Sequence, residues 1–367
     1  MSVVSAIQRR VPGLYLLMMF LFAGHASAAD LQLTGVSASP AAISGGPDEP
    51  VEISFHINQS GSVVLEIYDA YERLVFHTSS QAPLAAGDHA LRWKGVDDRG
   101  KPVVPGAYYY VLKASTKDGS NVTYDLSDIT GGKILNIDDI RYLADEGVVS
   151  YTVPATSRLF VRYGIEEHVM LGTLVNGKVH LPGEYRVPWK GYDASGRIRL
   201  AGHPKLEFFV HGMRLSRNAI IVKGAEPDRP VLTEPVDSAD IRTPGLKPVG
   251  LNVHAYHKRH LCRDFAITLE LVGRKLPAGD AVPVVNGRTR FQVAVAPEDQ
   301  AVVQSQRFEI QFYLDNQMVY ENEVSYTPYN WTWDMSRVPP GVHYLTAIVV
   351  GYGSHFGVST MEFRIDG

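Results

Sequence analysis

The chain of 367 residues holds a single cysteine, Cys262, so no internal disulfide can form. An exported protein of this kind must hold its domains together by core burial alone, which domains of roughly 100 residues can do. Cations are not in excess either. Lys and Arg number 35 against 39 Asp and Glu, a formal charge of −4. That balance argues against a nucleic-acid partner, because phosphate neutralisation needs clustered cations. No apolar run approaches the ~18 residues of a membrane-spanning helix. The longest, residues 14–22 (L-Y-L-L-M-M-F-L-F), follows Arg9 and Arg10 and precedes Ala26-Ser27-Ala28. This is the layout of a secretory signal cleaved before Ala29, after which nothing spans a membrane. Catalytic signatures are missing as well: there is no G-x-S-x-G elbow, no H-E-x-x-H, no phosphate loop and no C-x-x-C-H haem attachment. The expectation is a protein without catalytic residues or cofactor.

What the chain does have is a globular composition, 45% hydrophobic and 20% charged, and a repeat. Residues 87–106 read G-D-H-A-L-R-W-K-G-V-D-D-R-G-K-P-V-V-P-G, and residues 183–196 read G-E-Y-R-V-P-W-K-G-Y-D-A-S-G. Gly87 pairs with Gly183, Trp93 with Trp189, Gly95 with Gly191, Asp97 with Asp193 and Gly100 with Gly196, always 96 residues apart. Val149-Ser-Tyr-Thr-Val153 stands at the same offset from Ile53-Ser-Phe-His-Ile57. Around these motifs the pattern is strand after strand. Residues 51–57 alternate apolar and polar with period two, and residues 107–114 (A-Y-Y-Y-V-L-K-A) are strongly β-prone. Short strands at this spacing, with no helical-period segment between them, indicate β-sandwiches.

The segments V-x-I-S-F-x-I, V-x-L-E-I-Y-D-A-x-x-R-L-V and A-G-x-H-x-L-x-W-K-G-x-D-D-R-G-K-P-V-x-P-G-x-Y-Y-Y, over about residues 35–117, resemble the FlgD-type Ig-like module. That module is known from the flagellar hook cap and, more widely, from surface and secreted proteins of bacteria. The resemblance implies a fold and no activity. Residues 131–224 look like a diverged copy. Residues 225–248 carry Pro at 227, 230, 235, 244 and 248 and read as a linker. Residues 249–367 are again β-rich, and Trp333-Asp334 followed by Pro340-Gly-Val-His-Tyr-Leu-Thr-Ala347 is similar to a common bacterial Ig-like pattern. The reading is all-β: a signal peptide (1–28), two FlgD-type Ig-like sandwiches (29–130 and 131–224), a Pro-rich linker (225–248) and a C-terminal Ig-like sandwich (249–367), of the broad Ig-like or fibronectin-III-like kind.

Three constellations are candidate sites. His254, His257, His260 and Cys262 offer ligand types for Zn or Cu, against the plainer reading of a polar stretch with a buried thiol. The acidic pairs Asp97-Asp98 and Asp138-Asp139 offer oxygens for Ca, although neither fits the D-x-[DN]-x-[DN]-G loop and tight turns need the same residues. Tyr326, Tyr329, Trp331 and Trp333 offer either a stacking platform for sugar rings or a core strand, since the last three share one face of a strand. The function expected is a non-catalytic scaffold binding protein partners through sandwich edges and loops in an envelope or extracellular assembly, periplasmic or on the cell surface. A carbohydrate-binding surface protein is the rival, and an accessory protein to a surface multihaem cytochrome the lesser one.

N-terminal sequencing of the exported protein is expected to begin at Ala29. An unprocessed N-terminus in the exported fraction would remove the cleaved-signal reading.

Overall fold

Alternation along the chain builds three β-sandwiches in the computed structural model, which describes residues 30–45, 49–70, 72–126, 134–135, 137, 139–165, 169–224, 263–273, 282–304, 307–351 and 355–367. The signal, the Pro-rich linker and the His/Cys constellation lie outside these residues. In the first sandwich β1 (Leu33–Ser39), β3 (Val51–Ile57) and β6 (Gly87–Trp93) form one sheet in the order β1-β3-β6. Val51, Ile53, Phe55 and Ile57 point inward, while His56 between them is exposed. The facing sheet contains β2 (Ala42–Ile43), β4 (Ser62–Tyr68), β5 (Leu74–Ser79), β7 (Gly106–Ser115) and β8 (Asn121–Tyr124). Ile53, Leu65, Ile67, Trp93 and Tyr110 fill the space between the sheets.

The second sandwich repeats the plan. β9 (Ile134–Leu135), β10 (Arg141–Leu143), β11 (Val148–Val153), β12 (Ser157–Ile165), β13 (Val169–His180), β14 (Gly183–Pro188) and β15 (Leu206–Arg214) form sheets ordered β10-β11-β14 and β13-β12-β15-β9. The chain then does something that its local pattern does not announce. β16 (Ala219–Val222), expected to end the second unit, joins the first sandwich. It pairs antiparallel with β7, from Tyr109↔Ala219 to Gly106↔Val222, and parallel with β2. β8 pairs with the other half of β7, from Ser115↔Asn121 to Leu112↔Tyr124. β8 and β16 therefore lie end to end as one interrupted strand, and the whole second sandwich leaves and re-enters the first through that break.

Asn218 closes the break. It is fully buried; its side-chain amide donates to the Tyr110 carbonyl (2.8 Å) and to the Asp125 carboxylate (3.2 Å), and its own carbonyl accepts from the Tyr110 N–H (3.1 Å). The ladder continues across the gap because the side-chain N–H donates where a peptide N–H would, while the acceptor is the main-chain carbonyl of Asn218.

The third sandwich has β17 (Ile267–Leu271), β18 (Arg288–Val295) and β21 (Tyr329–Asp334) in one sheet. β19 (Phe308–Leu314), β20 (Gln317–Asn322), β22 (Gly341–Gly351) and β23 (Phe356–Ile365) form the other, in the order β20-β19-β22-β23. A short helix α1 (Pro297–Gln304) joins β18 to β19, and a 3-10 turn (Met335–Arg337) follows β21. All three sandwiches use the same device where strands enter a sheet. β6, β7, β14 and β22 begin Gly-x-His or Gly-x-Tyr, and the ring donates to the carbonyl four residues earlier: His89 to Ala85 (2.8 Å), Tyr108 to Val104 (2.7 Å), Tyr185 to Leu181 (2.9 Å) and His343 to Pro339 (2.8 Å). The arrangement is akin to the tyrosine corner of Ig-like sandwiches.

Burial of Ile220, Ile221 and Val222 stabilises the first sandwich by about 1.5–3 kcal/mol per side chain, a sum comparable with a domain's whole margin. A fragment of residues 31–125 joined directly to 218–224 is therefore expected to unfold cooperatively in urea, and the fragment 31–126 alone to be largely unfolded. Equal urea midpoints for the two would show that β16 is dispensable.

Candidate functional site

The repeated motif is a self-satisfied turn. Trp93 is fully buried and Trp189 nearly so. Each indole N–H donates to the carbonyl three residues on, Val96 at 2.8 Å and Tyr192 at 3.0 Å. One Asp97 carboxylate oxygen accepts from the N–H of Arg99 (3.0 Å) and of Lys101 (2.8 Å). Asp193 accepts from the N–H of Arg197 (2.8 Å) and Ile198 (2.9 Å), and from the Ser195 hydroxyl (2.6 Å). Gly100 (φ 76°) and Gly196 (φ 74°) sit in the left-handed region the turn requires. Asp97, one of the Ca candidates, thus commits one carboxylate oxygen to its own loop. Asp98 is engaged likewise, accepting from the His77 N–H (2.8 Å) and bonding the His77 ring (2.6 Å), and Asp139 pairs with Arg141. Asp138 lies outside the described residues.

The turn also reaches sideways. The N–H of Asp98 donates to the Val75 carbonyl (3.1 Å), and the N–H of Ala194, at the same place in the repeat, donates to Leu171 (2.8 Å). β5 and β13 are the outer strands of their sheets. The acidic loop therefore covers a sheet edge, and its conformation serves the fold.

The aromatic strand is mostly core. Tyr329 and Trp331 are 7% and 9% exposed, and Trp333 is half-buried against the same cluster. Trp331 lies 4.5 Å from Phe312, 5.1 Å from Tyr320 and 5.0 Å from Trp333 between ring centroids. The Tyr329 hydroxyl bonds the Tyr320 hydroxyl (2.8 Å) and accepts from Asn322 (3.1 Å). The face these three side chains share is the one turned to the other sheet, so the strand is no open stacking platform; Tyr326 alone of the four is exposed, at 61%. His254, His257, His260 and Cys262 lie outside the described residues. Among the described residues no group of three His, Cys, Asp or Glu is placed to hold a metal ion.

Sequence reading missed the junction between the second and third sandwiches. Arg162 of β12 and Asp264, just before β17, are 3% and 4% exposed. They form a two-pronged pair, Nε to Oδ2 at 2.8 Å and Nη2 to Oδ1 at 2.5 Å. Thr173 Oγ1 (2.8 Å) and the Phe356 N–H (3.1 Å) donate to the same carboxylate, and the Asp264 N–H donates to the Asn176 side chain. The guanidinium lies 4.7 Å from the ring centroids of both Phe160 and Phe356. Tyr313 and Ile348 of the third sandwich belong to the core cluster of the second, and Arg197 pairs with Glu362 at the rim (2.5 Å). The sequence signal was faint: an Arg at an alternating position within L-F-V-R-Y.

Removing one partner of such a pair leaves an uncompensated buried charge, so Arg162→Ala or Asp264→Ala is expected to cost ~3–5 kcal/mol in urea unfolding followed by Trp fluorescence. The double variant Arg162→Met/Asp264→Leu should recover most of that loss, since apolar packing replaces both charges. Single variants within about 1 kcal/mol of the parent would contradict the burial of the pair.

The family model for the FlgD Ig-like domain matches residues 41–118. No curated protein matches the chain. Among solved structures, FlgD from P. aeruginosa is similar at 18% identity over 42% of this chain and 98% of that one, with a TM-score of 0.20. Fibronectin(III)-like modules of Clostridium thermocellum CbhA align at 10% identity over 90% of this chain and 94% of theirs, TM-score 0.20. A bacterial 1.5-MDa ice-binding adhesin aligns at 11% identity over 92% and 99%, TM-score 0.19. Residues 41–118 thus match the FlgD Ig-like domain, and they lie within a tandem of β-sandwiches.

Proposed function

We propose that the protein is a non-catalytic interaction scaffold, exported to the periplasm or cell surface, whose sandwiches present edges and loops to protein partners in an envelope assembly. The observation that carries this reading is how the conspicuous polar side chains are used. Asp97 and Asp193 hold turns, Asn218 bridges a split strand, and Arg162 with Asp264 locks two domains. Each is committed to structure, and together they make a stiff array from small modules. Two chain passages tie the second sandwich to the first, and a buried ion pair with a shared core ties it to the third. Stiffness suits a spacer or platform, because a pre-ordered surface loses less entropy on binding. Among the described residues no helix is long and apolar enough to cross a membrane.

The large apolar side chains left in water include Ile134, Tyr192, Val319 and Val342, 64%, 39%, 37% and 50% exposed. A photo-cross-linking amino acid at each of the four, in cells producing the protein at native level, is expected to give protein adducts from at least one position. No adduct from any of them would overturn the scaffold reading.

A further inference from the structure

One irregularity recurs in all three sandwiches. Pairing steps from Ile67↔Phe76 to Tyr68↔Leu74 between β4 and β5, and from Tyr163↔Gly172 to Gly164↔Met170 between β12 and β13. It steps from Phe312↔Tyr320 to Tyr313↔Met318 between β19 and β20. Val75, Leu171 and Val319 are the extra residues, each a β-bulge on the outer strand of its hairpin. In the first two sandwiches the bulge is the landing point of the acidic loop, whose N–H donates to the carbonyl of Val75 or Leu171, and both residues are buried, at 2% and 0%. In the third sandwich the corresponding stretch after the Trp strand is the tight turn Met335–Arg337 followed by Pro339-Pro340. Among the described residues no backbone hydrogen bond reaches β20 other than from β19. Val319 is 37% exposed, Met318 50%, and beyond the strand Val324 72% and Tyr326 61%.

Bulges and short lengths are means of blunting a sheet edge. Here the two covered copies show that this bulge accepts an added segment. The chemistry beside the third edge indicates which kind. Glu309, Glu321 and Glu323 line a groove of about 550 Å³ with Val324 and Val350, and among the described residues Arg307 is the one cation in its wall. The Gln311 side-chain amide bridges Glu309 and Glu321, 2.9 Å to each. The Glu309 carboxyl is pushed up first by burial and then by the charges of Glu321 and Glu323. Cationic side chains laid along the groove relieve that crowding, whereas an acidic strand would add to it.

We propose that β20 is a docking edge for an extended segment of a partner protein, which pairs along Gln317–Asn322, donates an N–H to the Val319 carbonyl and sets basic side chains on alternate positions over Glu309, Glu321 and Glu323. Main-chain pairing supplies affinity and the alternate side chains supply selectivity. The proposal rests on the scaffold reading and names the surface that reading leaves open.

The probes are two peptides of about seven residues, one alternating Lys and Val and one alternating Glu and Val, titrated into the full exported chain by fluorescence anisotropy. The Lys peptide is expected to bind at least about tenfold more tightly, with the preference weakening as salt rises. Hydrogen exchange of the Gln317–Asn322 amides should slow on binding. Glu321→Lys/Glu323→Lys, both at exposed positions, should leave the melting temperature unchanged and reverse the preference. No binding of either peptide, an unreversed preference, or protection elsewhere than β20 would overturn the proposal. So would self-association of the chain that blocks the peptide, which would assign the edge to a second copy. If the peptides fail while cross-linking at Ile134, Tyr192 or Val342 still yields protein adducts, the edge assignment falls and the scaffold reading stands. Absence of adducts at all four positions removes the scaffold reading itself.

Discussion

Every strand at the border of a sheet carries backbone N–H and C=O groups that need partners, and much of this molecule is arranged around finding them. Three solutions appear. In the first and second sandwiches a loop closes over the outer strand, held in shape by Asp97 or Asp193 and anchored by a buried Trp. Along β7 the bordering strand comes in two pieces from either side of an inserted domain, sealed by Asn218. In the second sandwich the place beside β15 is taken by the incoming β9, since the outgoing chain leaves to serve the first sandwich. The Asp-Gly turns are therefore best understood by what they cover rather than by the charge they carry.

The insertion has a mechanical consequence. Two domains in series are joined by one segment, and their relative orientation is the default degree of freedom. Here the chain passes between the first and second sandwiches twice, at Asp125 and Asn218, whose side chains touch at 3.2 Å. The third sandwich is fixed differently, through Arg162 and Asp264. Burying two charges costs free energy that their attraction and the surrounding donors must offset, and the donors are supplied from both domains: Thr173 from one, Phe356 from the other. Apolar packing of Tyr313 and Ile348 into the neighbouring core contributes attraction without direction. The ion pair, being directional, specifies which face meets which.

Much of the fold was legible because period-two alternation and the 96-residue repeat are local signals. The inward face of β3 and the buried Trp93 and Trp189 follow from them. Partner choice was not legible. Ala219-Ile-Ile-Val222 reads as a strand from composition, but nothing in four apolar residues says that it pairs with Tyr109, 110 positions earlier, rather than with its nearer neighbours. The same holds for Arg162 and Asp264, which are separated by 102 positions. For Tyr329, Trp331 and Trp333 the sequence placed all three on one face, and only the opposing sheet, with Phe312 and Phe291, decides that this face is core. A strand pattern specifies sides; the packing of a second layer assigns them.

The contrast between repeated and unrepeated features then sharpens where recognition resides. A motif retained in two copies against a varying background is one the fold itself requires, and the Trp-Asp-Gly turn has a structural task in each copy. The third sandwich keeps the bulge but replaces that turn with Met335–Arg337, and among the described residues Val319 receives no loop N–H of the kind that reaches Val75 and Leu171. An edge that no described segment covers, beside three carboxylates, is costly to leave exposed if it has no use, because it invites unspecific pairing. The acidic groove limits that risk, repelling acidic strands while remaining receptive to basic ones. The place where this chain departs from its own repeat is thus the place where its chemistry becomes selective.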